Sequence, residues 1–231
     1  MDLNLNQSSS GIVMRKSLSF LIPYLFISAV IIALLVSYGN TELFLHINSY
    51  HSAFGDFLFF YLTNLGDGVV AALLILVLLW ISFREALTFL LITLAITIIV
   101  NILKDHIFPE LDRPASYFSG LEVLHLVPGY DPPTLSTFPS GHTATAFSVG
   151  LYLSFLIKNR AVKFLLFVLA VGVGYSRMYL AAHFPLDVLA GAAIGVFTTL
   201  ICFDIGRLFK SEWIDKKILY MPKIFAREKI V

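Results

Sequence analysis

The chain has 231 residues, of which 58% are hydrophobic and 13% charged, against roughly 25% charged in ordinary soluble domains. That composition excludes a water-soluble globular domain and points to an integral membrane protein with one domain, 1–231. A net charge of +1 gives no sign of a nucleic-acid partner, and the lone cysteine, Cys202, excludes an intramolecular disulfide.

In chain order, Arg15 and Lys16 precede an apolar run from Leu18 to Val36, the first expected span. A secretory signal peptide has the same order of charged and apolar residues. This run is long and has no clear small-x-small cleavage site, so it is read as retained. The stretch "ELFLHINSYHSAFGDFLFFYLTNLGDG" follows. In it Phe44, Ile47, His51, Phe54, Leu58, Tyr61 and Leu65 recur at three- and four-residue steps, while His46, Asn48, Ser49 and Asp56 fall on the other face. That pattern suits an amphipathic helix lying at the membrane interface, with a helix packed against the bundle as the alternative. Val69 to Phe83 gives a second span, and Ala86 to Leu103 a third that ends at Lys104. A polar segment punctuated by prolines runs from Asp105 to Pro139. The fourth span begins near His142 and ends before Lys158, the fifth covers about Ala161 to Tyr175, and the sixth runs from Pro185 to about Ile205. A basic tail, 206–231, closes the chain. The expected fold is all-α, with six transmembrane helices and an interfacial amphipathic helix after the first.

Six spans put both termini, the Arg84 turn and the Lys158 to Lys163 turn on one side, together with 13 of the 16 Lys and Arg residues. By the positive-inside rule that side is cytoplasmic. The exceptions are Lys104, Arg113 and Arg177, on a face that otherwise carries acids such as Asp56, Asp67, Glu110 and Asp112. Each exception sits beside a distinctive group. Lys104 ends the third span and Arg113-Pro114 follows in the loop. Pro139-Ser140-Gly141-His142 opens the fourth span. Ser176-Arg177 ends the fifth, with His183 in the next turn and Asp187 one turn into the sixth. Alone, Lys104 reads as a snorkelling lysine, Ser140 as an N-cap and Arg177 as a headgroup anchor. Together they bring three cations, two histidines and a carboxylate to one membrane face, where ionisable residues mark function.

Three fixed cations suit a phosphate dianion and the charge of its transfer transition state. The opening of the fourth helix adds free N–H groups, Gly141 lets a phosphate approach the backbone, and Ser140 offers a hydroxyl. With Pro185 as the first helical residue, Asp187 can reach back to one ring nitrogen of His183 and leave the other to attack. His142, at the facing helix mouth, is the available acid for the departing oxygen. No cysteine or histidine–carboxylate cluster has metal-ligand spacing, and no cofactor is expected.

These residues resemble the type 2 phosphatidic acid phosphatase family, membrane lipid phosphatases related to vanadium haloperoxidases, whose signature is Lys-x6-Arg-Pro, Pro-Ser-Gly-His and Ser-Arg-x5-His-x3-Asp. "PSGH" (139–142) and "SRMYLAAHFPLD" (176–187) match, while "KDHIFPELDRP" departs, with eight residues between Lys104 and Arg113. The resemblance implies a phosphohistidine on His183, oriented by Asp187, with His142 protonating the leaving group. It also implies a phosphate cradle of Lys104, Arg113, Ser140, Gly141, His142 and Arg177, with no metal. The expected protein is a multi-pass inner-membrane lipid phosphatase whose site faces the periplasm or exterior. Its partners are membrane lipids and its substrate a bacterial lipid phosphate: undecaprenyl pyrophosphate, a lipid A phosphate or phosphatidylglycerol phosphate. A lipid phosphotransferase using the same phosphohistidine, or a lipid transporter or binding protein, is the alternative.

Overall fold

The computed structural model describes residues 17–121 and 123–208. Arg15, Lys16, Glu122 and the basic tail beyond Leu208 lie outside them. Among the described residues all regular structure is helical. In chain order the α-helices are α1 (Leu18–Tyr38), α2 (Asn40–Ser49), α3 (Ala53–Leu62), α4 (Gly68–Ile81), α5 (Phe83–Ile102), α6 (Pro114–Tyr117), α7 (Gly141–Leu156), α8 (Arg160–Tyr179) and α9 (Pro185–Leu208). A short 3₁₀ turn (Thr63–Gly66) joins α3 to α4, and a π turn (Leu103–Ile107) ends α5.

Four stretches are long and apolar enough to cross a membrane: Leu18–Tyr38, Phe83–Ile107, Arg160–Tyr179 and Pro185–Arg207. A fifth arises if Ala53–Gly66 and Gly68–Ile81, which meet at a 52° bend, act as one span. The count is therefore four or five candidate spans, against the six expected. The expected second span, α4, has 14 residues, and the expected fourth, α7, has 16. At 1.5 Å per residue both fall short of the roughly 30 Å hydrocarbon layer. Large apolar side chains such as Ile22, Leu25 and Phe26 on α1 and Leu73, Leu76 and Trp80 on α4 point away from the bundle. A surface of this kind suits hydrocarbon rather than water, and the chain is a multi-pass membrane protein.

The single amphipathic helix expected after the first span is instead two helices, interrupted at Tyr50–Ser52. Ser52 caps the second of them, its hydroxyl accepting the Gly55 N–H at 3.1 Å. The stripe divides with the helices. Phe44 is buried, whereas Phe54, Leu58, Tyr61 and Leu65 are exposed. On α3 the polar Asp56 turns inward, where it accepts hydrogen bonds from the Tyr179 hydroxyl and the His125 ring.

Helix α7 is the hub, packing against α5, α8 and α9. Its apolar residues enter two cores, one with Phe89, Ile92 and Phe203, the other with Phe20, Phe167 and Val196. The sequence "GAAIG" (191–195) is a GxxxG stripe, which lets two helix backbones meet closely in a membrane. A Cβ on Gly191 would lie 2.4 Å from the Ser140 carbonyl oxygen, and one on Gly195 would lie 2.3 Å from that of Ala144. The start of α9 is thereby held against the start of α7. The opposite end of the bundle is tied separately, where Arg84 Nη1 donates to the Gly206 carbonyl at 2.8 Å.

Gly195→Leu forces α9 off α7, because the obstructing atom is backbone and cannot rotate aside. Overpacking of this kind costs roughly 1–3 kcal/mol or more. Thermal unfolding in detergent should fall clearly for Gly195→Leu and little for Gly68→Ala, where a Cβ meets nothing within 4 Å. Equal melting of the two variants would show that the close approach is dispensable.

Candidate active site

The local folding of two helix junctions explains why the motif residues meet. Helix α8 ends in a Schellman turn, with the Ala182 N–H donating to the Arg177 carbonyl at 2.9 Å and the Ala181 N–H to the Met178 carbonyl at 3.1 Å. Ala181 takes the left-handed position, at φ 53°. The Arg177 carbonyl also accepts the His183 N–H at 3.1 Å, so a spacing of five residues places His183 back beside Arg177. Phe184 then caps α9, with Pro185 as its first residue and Asp187 as its third. Asp187 Oδ2 accepts the Phe184 N–H at 2.9 Å, which is half of a capping box. Across the interface, Ser140 caps α7, its Oγ accepting the Thr143 N–H at 3.4 Å. The Ser140 N–H donates to the Asp187 carbonyl at 3.0 Å, locking the two helix starts together.

His183 is the centre of the group, 2% exposed. Its Nε2 lies 3.2 Å from Arg113 Nη1. A guanidinium only donates, so Nε2 is the acceptor and the ring proton sits on Nδ1. The Nε2 lone pair thus faces the cations. Burial, reinforced by the charge of Arg113 and then of Arg177, holds the His183 pKa well below that of an ordinary histidine. The ring is therefore neutral at pH 7, as a nucleophile must be.

Lys104 and Arg113 converge although eight residues separate them. Lys104 Nζ donates to the Ser136 carbonyl at 3.0 Å, and Arg113 Nη2 donates to the same oxygen at 3.4 Å. The π turn carries Lys104 at the end of α5, and Arg113 reaches in from the loop before α6. Ser136 itself has φ 55°, a left-handed conformation uncommon for a non-glycine residue. Arg113 Nε donates to Leu135 at 2.8 Å and Nη1 to Ala182 at 3.2 Å. Arg177 is 3% exposed. Its Nη1 donates to Thr63 Oγ1 at 2.7 Å, its guanidinium carbon lies 5.9 Å from the centre of the Tyr130 ring, and its buried Nε has no partner among the described residues. The fields of Arg177, Arg113 and Lys104 all reach the His142 ring at the mouth of α7. At Gly141 a Cβ would meet only Val100, at 3.6 Å, so the backbone there is open to close approach.

The eight residues singled out in the sequence are thus gathered at one end of the bundle. Asp187 Oδ2 lies 3.5 Å from His183 Nδ1, and the Thr137 hydroxyl packs beside both. Thr137 Oγ1 donates to Asp187 Oδ2 and lies 3.4 Å from His183 Nδ1. Sequence reasoning missed Thr137, Thr63 and Tyr130. Uncharged residues in loops carry no positional signal, although Thr137 stands two residues before the Pro-Ser-Gly-His turn.

The arrangement offers a neutral imidazole with its lone pair exposed to three cations, one of which has an unpaired buried N–H. Such a site can hold a tetrahedral anion and attack it. Among the described residues no group of three or more His, Cys, Asp or Glu side chains is placed to hold a metal ion.

The chain is similar to known proteins. The chain is 33% identical over 139 residues to the putative undecaprenyl-diphosphatase YbjG of Escherichia coli, covering 58% of this chain and 66% of that protein. It is 28% identical over 164 residues to a lipid A 4'-phosphatase of Bacteroides thetaiotaomicron, covering 68% of this chain and 72% of the relative. Across the first two curated relatives the aligned stretch covers 32% and 66% of their own lengths. The crystal structure of Aquifex aeolicus LpxE superposes with a TM-score of 0.63 at 34% identity, covering 71% of this chain and 94% of that one. Residues 85–209, which carry all eight of the residues singled out in the sequence, match the model of the PAP2 superfamily, and the chain belongs to that superfamily.

Proposed function

We propose that the protein is a lipid phosphatase acting through a phosphohistidine on His183, without a metal ion. The observation that carries this reading is the lone pair of His183 Nε2 directed at Arg113, with Arg177 and Lys104 close enough to act on the same ring. An incoming phosphate replaces Nε2 and the loop carbonyls as acceptor for Arg113 and Lys104, and takes the unpaired Nε of Arg177. It also meets the N–H groups at the start of α7. Nε2 then attacks phosphorus, the N–P bond forming as the P–O bond to the lipid breaks. His142 gives its proton to the departing oxygen. The phosphate dianion offsets the three cations facing His142, which allows that ring to carry a proton when the substrate is bound. In the second half-reaction His142 takes a proton from water, whose oxygen attacks phosphorus. The N–P bond breaks, and inorganic phosphate leaves.

The substrate belongs to the bacterial lipid phosphates: undecaprenyl pyrophosphate, a lipid A phosphate or phosphatidylglycerol phosphate. Names of the relatives favour the first two, and phosphate release from a purified panel of all three tests the choice. In this reading α1, α5, α8 and α9 cross the inner membrane outright, the bent α3–α4 pair forms a fifth span, the shorter α7 completes six inside the bundle, and the site faces the periplasm or exterior. The charge asymmetry supports that orientation. The site end of the bundle holds three Lys and Arg residues, against 13 assigned to the other side.

Four outcomes are expected. His183→Ala forms no phosphoenzyme, because the nucleophile is gone. His142→Ala still binds phosphate but loses about 10²–10⁴-fold in rate on alkyl esters, and less on an aryl ester whose phenol departs unprotonated. Undiminished trapping in His183→Ala, or label on His142, overturns the assigned roles. Chelators leave the rate unchanged, since three cations already supply the charge a divalent ion would bring; loss restored by magnesium contradicts this. In a Cys202→Ser background, cysteines at Ser119 and Lys158, both exposed, label from outside and inside the cell respectively. Labelling of Lys158→Cys alone from outside reverses the orientation.

A further inference from the structure

Arg177 is held from two directions. On one side its Nη1 donates to Thr63 Oγ1 at 2.7 Å. On the other the Tyr130 ring lies against the guanidinium, 5.9 Å from its carbon, and the phenol shares a hydrogen bond with it. Tyr130 comes from the loop between α6 and α7, which is anchored by residues the site does not use. Asn48 of α2, 1% exposed, accepts the His125 N–H at 2.8 Å and donates to the His125 carbonyl at 3.1 Å. The same amide donates at 3.0 Å to the carbonyl of Tyr179, at the end of the helix that carries Arg177. The His125 ring lies 2.7 Å from Asp56 of α3. Val127 then enters a core with Tyr179 and Leu180. A Pro-Gly turn follows, with Gly129 at φ 82° and the Tyr130 N–H donating to the Val127 carbonyl at 3.1 Å. Tyr130 itself meets Phe60 of α3 edge to face, with centroids 6.5 Å apart.

We propose that residues 125–130 form a strap that aims Arg177 at the phosphate, with Tyr130 as the positioning residue and the Asn48–His125 pair as its anchor. The proposal rests on the reading of Arg177 as a phosphate ligand and adds what orients it. A long side chain loses rotamer freedom when it grips a ligand. Here Thr63 on Nη1 and Tyr130 beside the guanidinium take that freedom away in advance, so less is lost when phosphate arrives. The buried Nε, without a partner among the described residues, is left for the phosphate. Asn48, Asp56 and Thr63 all precede the stretch 85–209 that matches the superfamily model. The aim of a motif arginine therefore depends on helices outside that stretch.

The test measures equilibrium binding of radiolabelled inorganic phosphate to the full-length protein in detergent, a readout that needs no turnover. Tyr130→Ala weakens binding by about 10- to 100-fold, the range of one hydrogen bond to a charged group. Tyr130→Phe keeps the ring beside the guanidinium and binds more tightly than Tyr130→Ala. Asn48→Ala weakens binding in the same direction. Combined with Tyr130→Ala it is no weaker than the worse single variant, because both release one strap. In an Arg177→Lys background, which keeps the charge without the planar fork, Tyr130→Ala costs less than about threefold. A merely structural role lowers the unfolding temperature without this dependence on Arg177. Wild-type affinity in Tyr130→Ala, or a Tyr130→Ala loss undiminished in Arg177→Lys, overturns the strap and leaves the phosphatase reading intact. A wild-type protein that binds no phosphate overturns both.

Discussion

Arg113 joins three parts of the chain that are far apart in sequence. One guanidinium donates to the carbonyls of Leu135, Ser136 and Ala182 and to the ring of His183. The first two carbonyls belong to the loop entering α7, and the last two partners belong to the turn between α8 and α9. Arginine suits this post because its planar fork holds several acceptors in fixed directions and stays charged when buried. A lysine there would keep the charge but lose the geometry that turns Nε2 of His183 toward the phosphate position. Left-handed backbone at Ser136 and Ala181 is the local cost of aiming those carbonyls, of the order of 1–3 kcal/mol per residue. The interface between α7 and α9 has to be close for the turn and the loop to meet at all. The glycine stripe on α9 therefore serves the site as well as the bundle.

A second consequence is electrostatic. Lys104, Arg113 and Arg177 stand near one another, with Asp187 as the carboxylate that acts on the first two. Packing like charges into a partly desolvated site is unfavourable unless something negative completes it. Loop carbonyls do part of that work, and the Nε of Arg177 has no partner among the described residues. In the proposed reaction a phosphate dianion relieves this strain on arrival, and the additional charge of the transition state relieves it further. That difference between ground and transition state is what accelerates a reaction.

Much of the site was legible because charge in an apolar chain is conspicuous. Lys104, Arg113 and Arg177 stood out against the distribution of the other basic residues, and the Pro-Ser-Gly-His turn announced a helix start. The Lys104–Arg113 spacing departs from the family pattern, yet both side chains reach the Ser136 carbonyl, one from a π turn that no sequence period reveals. The split of the 44–65 stripe was not legible. Its three- and four-residue steps run unbroken through Tyr50–Ser52, and only the cap at Ser52 marks the restart. The bent junction of α3 and α4 likewise depends on packing, since Thr63 at the bend is held by Arg177 from α8. Thr137 escaped for a different reason: a neutral hydroxyl gains its meaning only from the groups the fold places around it.

The stereochemical course at phosphorus tests the central claim most directly. Transfer to His183 and then to water comprises two in-line displacements, each inverting the phosphorus centre. Hydrolysis of a lipid phosphomonoester made chiral at phosphorus with sulfur and oxygen isotopes, in isotopically labelled water, therefore proceeds with overall retention. Overall inversion would mean that water attacks the substrate in one step and would contradict the account.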